Sequence, residues 1–319
     1  MKKMVLALLV VLMVLPFGFA NGNQETSMDK WPEKEITVIC PWAVGGVADL
    51  VNRKIATFGQ KYLGVPVLAT NELGAGGNVA LTNYLKNEPN SYNLIFGGEG
   101  GFSIAPNIDG ASAIQFKYTD YEPVINLYSA IFVMTADSKL GVKNLDDLKK
   151  YGQGRKLKVA VNGIAGAEAF LVKALSKELG LQIDLVSYNG ANLALDAAAK
   201  GETQFAVSHQ SQARGPVQAG NLTPVCGFNK DGIHNEVYNV QGVGQYGIKA
   251  YYPNTCCLLA RKGTDPKVIA KLRSAYLKML EEPEVKALYQ QLMITSDPMD
   301  KAAYDKHIQS VTDIVLANK

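Results

Sequence analysis

"CPWAVGGVAD", residues 40–49, closes one kind of sequence and opens another. Before it runs "EITVIC" (35–40), a short β-rich segment. After it, "ADLVNRKIATFGQKYL" (48–63) places apolar residues at helical spacing, with Gly64 as a stop signal. The proline, tryptophan, two glycines and aspartate between them form a strand-to-helix corner. "VPVLAT" (65–70) reads as the next strand, and "NELGAGGN" (71–78) is a second glycine corner. The helical "GNVALTNYLKN" (77–87) and the strand "YNLIFGG" (92–98) follow. This order of strands and helices predicts a parallel sheet covered by helices on both faces. Ligands of such sheets sit beyond the carboxyl ends of the strands, where both glycine corners fall.

A second round begins near residue 132. "FVMTA" (132–136), "LKVAVNG" (157–163), "IDLVSYNG" (183–190), "TQFAVSH" (203–209) and "LTPVCGF" (222–228) read as strands. Helical patterns at 145–152, 166–180 and 191–201, and one running to Gly220, separate them. After a loop-rich stretch (229–250) come the strand "CCLLARKG" (256–263) and helices at 265–283, 283–292 and 300–318. The fold class is therefore α/β, in two lobes with a cleft between them. "EPVINLYSAIFVMTA" carries the chain across and "LTPVCGF" brings it back. The expected division is 31–128 plus 228–319 for the first lobe and 129–227 for the second, with residues 21–30 a polar linker.

Residues 1–20 have the layout of a cleaved secretory signal: Lys2 and Lys3, an apolar run, and Ala20 before a polar stretch. Pro16 and Gly18 interrupt the run, which is short for a membrane span. Cleavage after Ala20 leaves 30 basic residues against 29 acidic ones, a net charge of +1. Without a basic tract, nucleic acid is not an expected partner. Any bound anion is then held by local geometry rather than by a general field. Cys40, Cys226, Cys256 and Cys257 lack metal-ligand spacing. They read as small core residues, with a pairing of Cys226 to one of the others left open.

Catalysis needs a constellation that this chain lacks. His209, His234 and His307 have no His-x-x-x-His or Cys-x-x-Cys company. No Gly-x-Ser-x-Gly elbow is present. "GGEGGFS" is not followed by Gly-Lys-Ser/Thr, and "GAGGN" lacks the full dinucleotide fingerprint. The expectation is a binding protein, not an enzyme, with no metal and no cofactor.

The opening "WPEKEITVICPWAVGGVADLVNRKIA" resembles that of the Bug-type substrate-binding proteins of tripartite tricarboxylate transporters. Their pattern is a Trp-Pro pair, a strand, then Pro-Phe-Ala-x-Gly-Gly-x-x-Asp. "NELGAGGN", "NSYNLIFGG" and "SYNGANLALDAAAKGETQFAV" are similar to their later motifs. The likeness runs from about Trp31 to the C-terminus and rests mainly on the two glycine corners together. It implies a two-lobed fold of the periplasmic-binding-protein type II kind and a periplasmic location. It also implies capture of a small carboxylated solute (a di- or tricarboxylate, an aromatic carboxylate or an amino acid) and delivery to a membrane permease. A monomer is expected, and presentation of the closed form to a membrane sensor is the alternative role.

Either corner alone could be an ordinary turn; in the family's register they read as the floor of an anion cradle. A carboxylate leaving water needs replacement donors, which helix N-termini and close-approaching glycine backbone can supply. The resemblance thus points to Ala43, Gly45, Gly46, Val47 and Ala48 at the first corner and Gly76, Gly77 and Asn78 at the second. Gly166, Ala167, Tyr188 and Ser208 are their counterparts in the second lobe. Trp42 is either a wall of the cleft or a packed core aromatic, and Asp49 caps its helix or braces the loop. The second lobe departs from the pattern: residues 163–169 lack the hydroxyls and histidine usual in Gly-x-Gly-(Ser/Thr)-x-x-His, and Ala48 replaces a frequent threonine. Glu99 and His209 add polar groups, so an amino-acid-like ligand with Glu99 on its ammonium is a further expectation. Glu168, in the first turn of its helix, also reads as a complement to the helix dipole.

Overall fold

Two sheets account for nearly all the strands. The computed structural model describes residues 30–90, 92–108 and 114–318. The expected leader and residues 21–29 of the linker lie outside them. Strand β1 (Ile36–Cys40) leads through the first corner to α1 (Val47–Ala56) and α2 (Gly59–Leu63). Strand β2 (Val67–Asn71), the second corner, α3 (Asn78–Tyr84) and β3 (Asn93–Gly97) follow. The expected single helix over 48–63 is thus two. The Thr57 hydroxyl bonds back to Lys54 O at 2.7 Å where the first helix ends, a competitor to the helical ladder. Gly59 then lies so close to Val67 that a Cβ there would meet its side chain at 2.5 Å.

The crossing strand β4 (Tyr121–Ala130) runs, past Ile131 alone, into β5 (Phe132–Asp137) of the second sheet. That sheet is completed through α4 (Leu145–Gly152), β6 (Lys156–Asn162), α5 (Ala167–Leu179), β7 (Gln182–Tyr188), α6 (Ala191–Ala199), β8 (Phe205–His209), α7 (Gln210–Gln218) and β9 (Leu222–Gly227). A short ladder of β10 (Ile233–His234) and β11 (Asn239–Val240) precedes β12 (Asn254–Arg261), which re-enters the first sheet. Helices α8 (Pro266–Leu280) and α9 (Pro283–Gln291), strand β13 (Thr295–Ser296) and α10 (Lys301–Ala317) end the chain. The orders are β13-β4-β12-β3-β1-β2 and β7-β6-β8-β5-β9.

Neither sheet is wholly parallel, contrary to the expectation. Strand β12 is antiparallel to β3 and β4, and β5 is antiparallel to β8 and β9. A parallel pair requires a crossover connection, and the strands that pass between lobes have none on the sheet they enter. The return also comes later than "LTPVCGF". Ile233, Tyr238 and Val240 bury with residues of the second sheet such as Val133 and Ala206, and Phe228, Val243 and Tyr252 join its other face. A run of apolar side chains in 228–252 that covers the second sheet's core cannot belong to the first lobe, so β12 is the returning strand.

Each sheet carries apolar packing on both faces, which is why β5 is buried at all six positions. The four cysteines are free and buried, three in the first sheet and Cys226 in the second. Burial pushes the Cys40 and Cys226 thiols up to about 12 and the other two well above their ordinary value. Buried, protonated thiols are poor nucleophiles. Maleimide followed by mass measurement is therefore expected to leave the native chain unmodified and to add four groups after denaturation; stoichiometric labelling of the native chain would contradict this packing. No helix among the described residues is long and apolar enough to cross a membrane.

Candidate functional site

The first corner is held in shape by its own side chains. Gly45, at φ +77°, donates its N–H to Asp49 Oδ2 at 2.9 Å. Asp49 is buried and paired with Arg53 at 3.0 Å. Burial pushes its pKa up, but hydrogen bonds from Arg53, the Gly45 amide and Asn71 outweigh this and hold it below the ordinary carboxylate value. Asp49 thus braces the loop. Asn71 Nδ2 donates to Trp42 O at 3.0 Å, and Trp42 Nε1 donates to Gly76 O at 3.2 Å. The half-buried indole therefore ties the two corners together while forming part of the wall between the lobes.

That wall encloses a cavity of about 100 Å³, room on the order of eight water-sized positions, which suits a compact solute. Trp42, Ala43, Gly46, Val47, Ala48, Gly76, Glu99, Gly166, Ala167 and His209 all line it, as the sequence suggests. Gly77 and Tyr188 line an adjoining groove with Trp42, Gly76 and Ile164. Gly45, Asn78 and Ser208 do not reach the cavity. The Gly45 N–H is spent on Asp49. Asn78 faces a different groove beside Val79 and Ile114. The Ser208 hydroxyl is buried and turned onto His209 O at 3.1 Å. The sequence does not point to Asn162, Gly190, Ala191, Asn254 and Thr255, which also line the cavity. Gly190, before a clear helical pattern, carries a usable signal; Asn254 and Thr255, on a strand entered from a long loop, carry none.

Three helices open onto this space. Helices α1, α5 and α6 begin at Gly46, Gly166 and Gly190, and no side chain caps any of them. Their first N–H groups have no intrahelical acceptor and lie at the positive end of the helix dipole. The described lining contains no lysine or arginine, so these backbone groups, with neutral side chains such as Asn162 and Gln212, are the donors available to an anion. Helix α7 contributes its start through His209 and Gln212, though its Gln210 N–H already serves Ile131 O at 3.1 Å.

The lobes touch through backbone. A Cβ on Gly76 would lie 3.9 Å from Gly166 Cα, one on Gly163 would lie 3.6 Å from Gly76 N, and one on Gly190 would lie 3.5 Å from Ala43 Cβ. A bare Cβ would still fit at each of these positions, at ordinary contact distance, but little more would.

Glu99 does not offer the free carboxylate that the sequence suggests. Thr255 donates to it through both N–H and hydroxyl, Asn254 Nδ2 donates at 3.0 Å, and His307 Nε2 lies 2.5 Å away. His209 Nε2 meets Asn254 Oδ1 at 2.8 Å, and its ring packs 4.6 Å from Phe132. Since Asn254 donates to Glu99 through Nδ2, its Oδ1 accepts a hydrogen bond from His209 Nε2–H, which fixes that tautomer by elimination. Burial lowers the His209 pKa to about 4, against the opposing effects of Asn254 and Glu99. His307 is raised: burial lowers it, but the bond and charge of Glu99 prevail. This chain of polar side chains joins β8 of the second lobe to β12 and α10 of the first.

Glu168 is the opposite case. It lines the cavity at 8% exposure, and among the described residues its carboxylate accepts only from its own backbone amide. Burial raises its pKa to about 7, with that amide bond a smaller opposing influence.

The family model for the tripartite tricarboxylate transporter family receptor matches residues 51–314. Protein BugT of Bordetella pertussis is 24% identical over 263 residues, covering 81% of this chain and 80% of the relative. Among solved structures, periplasmic binding protein BugD superposes with a TM-score of 0.79 at 20% identity, covering 90% of this chain and 97% of that one. MatC from Rhodopseudomonas palustris with bound malate also gives 0.79, at 23% identity, over 89% of this chain and 100% of that one.

Proposed function

The chain belongs to the tripartite tricarboxylate transporter receptor family, and on that footing we propose that it captures a small carboxylated solute between its lobes. It acts as a periplasmic binding subunit, not an enzyme, and hands the closed, loaded form to a membrane permease. The observation that carries this reading is the convergence of three uncapped helix starts on a cavity whose lining holds no lysine or arginine. A carboxylate there exchanges water for preoriented N–H donors. The cradle is made from the N–H groups of Val47, Ala48, Ala167 and Ala191, the Gly46 N–H being spent on Ala43 O, with Gly76 and Trp42 closing the side. Closure follows because the ligand contacts both lobes only in the closed form. MatC, with malate bound, supports a carboxylate as the solute class.

Calorimetry of residues 21–319 against small carboxylates and their methyl esters tests this. At least one free acid is expected to bind and its ester to bind at least about 100-fold more weakly, as two charged hydrogen bonds are lost. Ester and acid binding equally would remove the anion cradle from the account.

A further inference from the structure

Among the described residues, the cleft holds one carboxyl group that the protein itself leaves without a partner. Glu99 is saturated by Thr255, Asn254 and His307. Glu168, more than nine-tenths buried and lining the same cavity, has no side-chain donor and only its own amide. The Tyr252 hydroxyl, buried and also without a partner, is close enough to feel both carboxylates. A buried carboxylate without a counter-charge is costly, and here the lining supplies no basic side chain to relieve it.

We propose that Glu168 is the specificity residue of the cleft and that it takes the cationic end of a zwitterionic solute, a small amino-carboxylate. This rests on the carboxylate reading above and narrows it. The solute's carboxylate occupies the open start of α1, and its ammonium lies against Glu168 at the start of α5. A dicarboxylate of the same length would set its second anion against Glu168, and like charges in a buried site repel. Selection therefore comes from an attractive contact for one class and a repulsive one for the other. The cavity is small enough that a solute touching α1 also reaches α5, since the two corners nearly meet at Gly76 and Gly166. The hydroxyls that would serve a distal carboxylate are absent from residues 163–169.

The pH dependence has a defined source. Glu168 takes up a proton as pH falls through about 7, so the preference for an amine over a diacid weakens on the acid side. The other titratable groups on the cavity wall are Glu99, His209 and Tyr128, the last kept protonated by burial, with Tyr252 close by. His209 stays neutral down to about 4, and Tyr252 stays protonated because burial pushes it well up. His307 lies behind Glu99 with a raised pKa, and it is common to wild type and a Glu168 variant, so their difference isolates Glu168.

The test is calorimetry at pH 8 and pH 5.5 with two probe series, glycine to 5-aminopentanoate and malonate to glutarate. The wild-type chain is expected to bind an amino-carboxylate roughly tenfold or more tighter than the diacid of matching length. Glu168→Gln should weaken that amino-carboxylate by roughly 30-fold, as expected for one lost charged hydrogen bond, and tighten the diacid. Acidification to pH 5.5 should lower the preference for the amino-carboxylate over the diacid in wild type and not in the variant. The wild-type pH profile stands even if the variant folds poorly, and Glu168→Asp, which keeps the charge, gives a second check by retaining the preference for amines. Diacid preference in wild type, or a preference for amines unchanged in Glu168→Gln, overturns the Glu168 assignment and leaves the carboxylate reading in place. Binding of neither series overturns both.

Discussion

Replacing Gly76 with valine leaves a folded chain that no longer closes on its ligand, and affinity falls by at least about 100-fold. Gly76 has φ +69°, and a Cβ there would stand 3.9 Å from Gly166 Cα across the cleft. The Cβ alone fits; the two methyl groups beyond it do not. The positive φ costs the fold roughly 1–2 kcal/mol for any non-glycine residue, but that cost is present with and without ligand. The loss of affinity has a different origin. With the lobes wedged apart, the solute keeps α1 and loses its second-lobe contacts at Glu168 and the start of α6, each charged hydrogen bond contributing about 1.5–3 kcal/mol. Gly76→Ala separates the two effects, since it carries the strain without the wedge. Titration of both variants is the measurement. Equal affinity in alanine and valine variants would show that contact between the corners plays no part in binding.

In the unliganded protein, Glu168→Gln shifts the lobes toward the closed form at pH 8 and has a much smaller effect at pH 5. The closed cleft raises the Glu168 pKa to about 7 from an ordinary 4.5, whereas an open cleft returns the carboxyl to water. Between those values the closed form holds a proton that the open form has released. Closure is therefore unpenalised at low pH, and its cost grows as pH rises through that window to reach about 3 kcal/mol above it. A neutral glutamine removes the penalty, an increase of up to about 100-fold in the closed-to-open ratio. Spin labels on Val44→Cys and Ile164→Cys, both exposed on opposite rims, report the distance. The native thiols are buried, so labelling is selective. Identical distance distributions in wild type and variant at pH 8 would contradict a buried, unpartnered Glu168.

How far the sequence reveals this molecule depends on how local each feature is. The βα order, the two glycine corners and the two-lobed plan rest on contiguous patterns, and the structure contains them. The sequence pattern places the returning strand too early because "LTPVCGF" and "NTCCLLAR" have the same β-rich character. Only long-range burial of 228–252 on the second sheet distinguishes them. The two glutamates exchange roles for a similar reason. Glu99 sits in a glycine loop that suggests an exposed acid, yet its partners lie 155 to 208 residues away. Glu168 reads as a simple complement to a helix dipole, and in the structure its carboxylate accepts from its own amide. Its burial in the cleft without another donor depends on the first lobe closing over it. Asn78, which starts a helix, is expected to donate into the cleft, but the left-handed run through Ala75, Gly76 and Gly77 turns that helix toward another groove.

The central claim is that a solute carboxylate sits on the open helix starts. The most direct measurement is the amide spectrum of the isotope-labelled chain during titration with the tightest carboxylate found by calorimetry. The amide protons of Val47, Ala48 and Ala191 should move downfield together and saturate with the calorimetric affinity, as charge-assisted hydrogen bonds form. A saturating ligand that leaves those three amides in place would contradict the cradle, whatever its affinity.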